Sequence, residues 1–277
     1  MTLALFYLPT PGPGYEPVSP IYFFLPFILA IVSFPFIYWY WRSQKPKVLP
    51  MPSRWKGILN RNVKFYEKLS SEEKMKFEVR VMKFLAETDI EGRGTEVEDL
   101  DKLLVASSAI IPMFGLPYWN YPDLETVILF PASFSQRVDP SAPSQHIVGL
   151  VGTGHMEGAM FLSQKALRKS YLDNDDCFNV GIHEFVHLID MADGTMDGLP
   201  KMLVPHKFER NWLKLVYEEI MKIRDDQSAI RDYGGVSKTE FLPVVTEYFF
   251  ERPADFRKIH PQLFGALTKV YNQNPIR

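Results

Sequence analysis

The sequence predicts an α+β protein: a mainly helical domain with a small β-sheet, preceded by one transmembrane helix. Three observations carry that reading. Helical spacing of apolar residues recurs through 55–110 and again from 179 to 250. Three short β-type runs bounded by proline or glycine lie between those stretches. Residues 21–41 carry no charged side chain. At 277 residues, with 46% hydrophobic and 23% charged side chains, the chain is long enough for one sizeable soluble domain and an appendage. A net charge of −2 gives no electrostatic case for binding nucleic acid. Cys177 has no second cysteine to pair with, so no intrachain disulfide forms and a reducing compartment is compatible. Its place just before an apolar helix points to packing.

The N-terminal tail, residues 1–20, has no lysine or arginine, and Pro9, Pro11, Gly12, Pro13 and Gly14 oppose a helix there. Ile21–Trp41 follows, 21 residues without charge, the length that crosses a hydrocarbon core. Tyr38, Trp39, Tyr40 and Trp41 form an aromatic belt at its end, and Pro26 and Pro35 predict kinks that lipid tolerates. A secretory signal peptide would need a positive start and a small-residue cleavage site, and both are missing. Arg42, Lys45, Lys47, Arg54 and Lys56 all follow the span while none precedes it. The positive-inside rule therefore places the N-terminus outside and the rest in the cytoplasm, as a single-pass inner-membrane protein. Residues 42–54 read as a basic, proline-stiffened linker, and 55–277 as the folded domain.

Within that domain Ile58, Leu59, Val63, Phe65, Tyr66 and Leu69 predict a first helix. Ser70 with Glu73 is a capping box opening a second, to about Glu87. Asp89–Thr95, with two glycines, reads as a turn. A third helix runs from about Leu100 to Ile110 and ends at Pro112. Thr126–Phe130, Ile147–Val151 and Gly158–Leu162 are strand candidates for a small antiparallel sheet. The glycines around His155 match no nucleotide-binding loop, because no Gly-Lys-Ser/Thr follows and no dinucleotide fingerprint opens a helix. Asp173–Asp176 is an acidic cluster leading into the next helix.

That helix, Asn179–Asp190, carries His183-Glu184-Phe-Val-His187. Four residues apart, the two imidazoles share one helix face, the spacing with which one rigid element grips a divalent ion. Glu184 leaves the helix about 100° from His183 and reaches a water on such an ion without being a ligand. Val180, Ile182, Phe185, Val186, Leu188 and Ile189 surround the polar trio, and buried polar groups of this kind cost stability unless paired or metallated. The helix ends at Met191–Gly194 and a loop follows. His206 there is a conceivable ligand, but lone loop histidines are more often exposed or hydrogen-bonded. Phe208–Ile223 is amphipathic. Further on, Glu240 and Glu247 project from one face of an otherwise apolar helix and need a charge partner. A metal held by the histidines is one candidate; a basic side chain such as Arg252 is the other.

The pieces His183–Asp190, Tyr121–Pro131 and Thr239–Glu251 together resemble the Mlc titration factor A family of zinc-dependent peptidases over about residues 55 to 275. The resemblance implies a zincin-like metallopeptidase domain similar to that of anthrax lethal factor, with one Zn²⁺ and a peptide or protein substrate. It implies Glu240 as the third zinc ligand beside His183 and His187, Glu247 as the group orienting a ligand histidine, and Tyr233 lining the site. On this reading Glu184 is the general base and Tyr233 an oxyanion donor. The family's titration factor binds the repressor Mlc, so a membrane-tethered protein that sequesters a transcription factor, its metal structural or vestigial, is the alternative. Residues 1–50 are an addition to the family's bacterial type member. Pro243 is tolerable only near a helix start, which places Glu240 in the first turn; otherwise Glu247 is the fallback ligand.

Overall fold

The computed structural model describes residues 21–43, 48–117, 120–121, 123–132, 134–136, 145–147, 149–151, 158–173 and 176–276. The tail at 1–20, part of the linker and the glycines around His155 lie outside the described residues. The chain divides between Lys47 and Val48 into two units.

In the first unit a helix, α1, spans Ile21–Ser43 and runs through Pro26 and Pro35. Phe24, Phe27, Leu29, Ile31, Val32, Phe34 and Phe36 are all more than half exposed along it. Among the described residues no helix is long and apolar enough to cross a membrane, so the expected span is not met there.

In the second unit the expected first helix is two: α2 (Ser53–Asn62) and α3 (Lys64–Glu67). They are broken at Val63, which is extended (φ −118°) and buries its side chain in the core. The capping box forms as read, Ser70 Oγ accepting from the Glu73 N–H, and opens α4 (Ser71–Glu87); such a cap is worth about 1 kcal/mol. The glycine-bearing turn at 89–95 is instead partly a strand, β1 (Asp89–Gly92). Helix α5 (Asp99–Met113) ends one residue past Pro112.

Next come β2 (Thr126–Phe130), β3 (Phe134–Gln136), β4 (Gln145–Ile147), β5 (Gly149–Val151) and β6 (Ala159–Ser163). The main sheet has the order β1-β2-β6-β5. It corrects the antiparallel expectation: β1, β2 and β6 are parallel, and only β5 runs against its neighbour. The reason is the connections. Helix α5 links β1 to β2 and a long excursion links β2 to β6, and crossovers of that length return strands parallel. The predicted strand at 147–151 is shared between two ladders, β4 pairing with β3 and β5 with β6.

Strand β6 passes straight into α6 (Gln164–Leu172), capped by Ser163, whose Oγ accepts from the Ala166 N–H. The rest is helical: α7 (Val180–Met191), α8 (His206–Arg224), a 3₁₀ turn at Asp232–Gly235, α9 (Lys238–Glu251), α10 (Pro253–Ile259) and α11 (Pro261–Val270). Helix α7 is the central rod, packed by α5, α6, α9 and β5. Phe185, Val186 and Ile189 on it are buried, as are Phe241, Val245 and Phe249 on α9. Gly181 lets α5 come close: a Cβ there would stand 2.1 Å from Ser108 Oγ. Cys177, ahead of α7, is buried at φ 57°, and burial, then the Glu251 charge, push its thiol up to about 11.

Candidate metal centre

Helix α7 starts where Asn179 caps it, its side chain accepting from the Ile182 N–H at 3.0 Å. Helix α9 starts at Ser237, whose Oγ accepts from the Glu240 N–H at 3.1 Å. Glu240 therefore lies in the first turn, and Pro243 follows early enough to cost little. The two helices pack together and bring three side chains to one point. Glu240 Oε2 is 3.1 Å from His183 Nε2 and 3.6 Å from His187 Nε2. A ligand atom from each of His183, His187 and Glu240 lies within 4.8 Å of the other two. Tetrahedral bonds of about 2.0–2.1 Å set ligand atoms roughly 3.3 Å apart; the two Glu240–histidine distances lie near that value, and two nitrogens with an oxygen are a donor set that suits a divalent metal ion.

Glu247 sits on the other side of His183. Fully buried, it faces the far nitrogen, Nδ1, at 2.7 Å, and also accepts from the Asn179 N–H at 2.5 Å and from Arg231 at 2.7 Å. It thus fixes the imidazole so that Nε2 points to the cluster, and the carboxylate grouped there with the two histidines is that of Glu240. Its basic partner is Arg231; Arg252 pairs with Asp255 instead. Burial works against a charge on His183, but Glu240 and Glu247 outweigh it and push the imidazole up to about 10. Burial also opposes charge on Glu240, yet hydrogen bonds with His183 and His187 hold its carboxyl well below the usual range. Proton and metal compete for the same nitrogen, so metal binding here is proton-coupled.

Glu184, 6% exposed, is the third polar member of α7. Burial pushes its carboxyl up, against the charges of His183 and His187. Strand β5 passes directly over it. A Cβ on Gly149 would lie 2.4 Å from Glu184 Oε1, so any side chain there displaces the carboxylate. Tyr233, in the 3₁₀ turn, is half-exposed with its ring 5.8 Å from that of His183. Burial and the adjacent Glu240 carboxylate push its hydroxyl up to about 12. His206 is fully outside the cluster, exposed and paired with Glu209 at 2.9 Å.

Sequence reading missed Arg231, Gly149 and Asp190. Arg231 stands two residues before Tyr233, but nothing local ties it to Glu247. Asp190 follows His187 by three residues, on the same helix face, and that spacing was the available signal. A cavity of about 580 Å³ between α8 and α11, lined by Phe208, Trp212, Leu215 and Ala266, shares no residue with this centre.

Residues 38–272 match the family model for glucose-regulated metallo-peptidase M90. An uncharacterized protein of Synechocystis is 29% identical over 267 residues, 91% of this chain and 96% of its own length. The Mlc titration factor A of Escherichia fergusonii is 26% identical and that of Pectobacterium atrosepticum 24%, each alignment covering 87% of this chain and 93% of the relative.

Proposed function

The chain belongs to the glucose-regulated metallo-peptidase M90 family, and on that premise we propose that it hydrolyses peptide bonds with one zinc ion held by His183, His187 and Glu240. The observation that carries the reading is the convergence of those three side chains beside a buried, non-ligating Glu184. A structural zinc has no need of Glu184.

When bound, such an ion supplies Lewis acidity toward a carbonyl and lowers the pKa of water to about 7. The remaining work falls to the chain's own groups. Glu184 takes a proton from water as the water oxygen adds to the scissile carbonyl carbon, and passes it to the amine nitrogen as the C–N bond breaks. Its raised pKa suits both halves of that transfer. Tyr233 donates its hydroxyl proton in a hydrogen bond to the carbonyl oxygen as that oxygen gains charge. Strand β5 is the edge of the sheet beside Glu184, and an extended substrate pairing with its outer backbone would lie across the site. Replacing Glu184→Gln is expected to abolish hydrolysis of a peptide library while leaving one equivalent of zinc bound. Undiminished turnover in that variant rules out the assignment.

A single membrane span over 21–41, with the peptidase domain in the cytoplasm, belongs to the same proposal. Its support is a stretch without charge followed by basic residues and the exposed apolar side chains of α1. The full chain is expected to stay with membranes through an alkaline wash, and its release by that wash would remove the span. The names of the relatives favour a second reading, in which the tethered chain sequesters a repressor such as Mlc. Pull-downs with wild type and Glu184→Gln separate the two. The peptidase reading expects the variant to retain an uncleaved partner, while the tether reading expects the two to behave alike.

A further inference from the structure

Gly198, in the loop after α7, is held on three sides. Its N–H donates to Asp190 Oδ2 at 2.8 Å, and its carbonyl accepts from Trp212 Nε1–H at 2.9 Å. A Cβ built on it would stand 2.3 Å from the carbonyl oxygen of Lys238. Asp190 is in α7, Trp212 in α8 and Lys238 in α9, and all three contacts are made by a residue at φ 76°. Asp190 and Trp212 are almost fully buried.

Two of those neighbours stand close to the metal cluster along their own helices. Asp190 comes three residues after His187, and Lys238 two residues before Glu240. A turn of packed helix is stiff, so the gap between α7 and α9 is transmitted to the gap between His187 Nε2 and Glu240 Oε2. We propose that Asp190 and Gly198 form a clasp that sets the spacing of the two ligand-bearing helices, and are therefore positioning residues for the metal centre. Asp190 holds the loop to α7 by accepting one backbone hydrogen bond. The missing side chain of Gly198 then lets the start of α9 close onto the loop. A methyl at 198 would have to push α9 away by about 1 Å to reach ordinary contact, and metal–ligand distances tolerate only about 0.2 Å. The clasp rests on the ligand assignment given above.

Gly194 provides the control. It lies in the same loop at φ 91°, but a Cβ there meets nothing within 4 Å. Gly194→Ala thus carries the left-handed backbone strain of Gly198→Ala without the collision. The measurement is Zn²⁺ affinity of the full chain by competition with a chromogenic chelator, with the visible spectrum of the Co²⁺ form as a readout of coordination geometry. Gly198→Ala and Asp190→Ala are expected to weaken Zn²⁺ by about 10- to 100-fold, the range seen for groups that orient ligands, and to change the Co²⁺ spectrum. Gly194→Ala, and Asp190→Asn with its retained carbonyl acceptor, are expected to stay within about threefold of wild type, with an unchanged spectrum. Wild-type affinity and spectrum in Gly198→Ala would overturn the clasp, and so would equal weakening in Gly194→Ala. Should Gly198→Ala not fold, the Asp190 pair decides, and equal binding by its alanine and asparagine variants overturns the proposal. Glu240→Ala tests the ligand reading separately: if it keeps wild-type zinc affinity, the ligand assignment fails before the clasp is judged.

Discussion

Among the described residues, two places in the second unit bury histidine against glutamate, and they are built differently. Between α8 and the α10–α11 junction, Glu219 takes His260 Nδ1 at 3.2 Å and Ser228 Oγ at 2.6 Å on one oxygen, and Lys222 at 3.0 Å on the other. Every oxygen of that carboxylate has a protein partner, and a lysine supplies positive charge. Between α7 and α9 two imidazoles meet one Glu240 oxygen, while Arg231 is directed to Glu247. Buried His–Glu contact by itself is thus a structural ion pair as readily as a functional one. What marks the α7–α9 pair is convergence: donor atoms from three side chains at the spacing of a coordination shell, with a second carboxylate behind to aim one of them.

The comparison can be broken most directly by deletion. His183→Ala or Glu240→Ala is expected to lose stoichiometric zinc in metal analysis of purified protein, whereas His260→Ala keeps one equivalent. Zinc lost equally from all three variants would erase the distinction. Glu247→Gln is expected to lower zinc affinity by about 10- to 100-fold while keeping the site, because its amide has one acceptor oxygen where the carboxylate uses both, toward His183 and Arg231 and toward the Asn179 N–H; titration against a chelator checks this. Gly149→Ala should leave zinc bound but cut turnover by roughly tenfold or more, because its methyl displaces Glu184 from hydrogen-bond reach; steady-state rates at saturating zinc measure it.

The smallest effect belongs to the α8 pair. Burial works against the charge of Glu219, but His260, Ser228 and Lys222 prevail and lower its carboxyl to about 2. A depressed folded pKa means that its stabilisation is complete above the ordinary value of 4.5 and is lost as pH falls from there toward 2. Glu219→Gln should cost about 1–3 kcal/mol at neutral pH and flatten that acid limb of the stability curve. Denaturant unfolding at a series of pH values tests both, with zinc affinity at neutral pH as the quantity that should not move.

Local signals were the legible ones. His183, Glu184 and His187 lie within five residues, Ser70 and Glu73 within four, and each grouping declared its geometry through helix spacing alone. Glu240 was readable through resemblance and through its place beside Pro243. The sheet was not, because strand direction depends on what connects the strands, and β1 was hidden in a glycine-bearing stretch whose pairing partner lies beyond α5. Helices α10 and α11 each begin on a proline, Pro253 and Pro261, residues that otherwise read as breaks. The partners of Gly198 come from three helices, and no short window holds them together. The span at 21–41 was read from charge and length; among the described residues no helix is long and apolar enough to cross a membrane.

Cys177 gives the molecule a chemical convenience. Buried and pushed up to about 11, its thiol stays protonated at neutral pH and is a poor nucleophile. Maleimide dyes or spin labels should pass it by in the native protein. A cysteine placed by design on the surface would then be the one handle they find, and the natural sequence needs no thiol removed first.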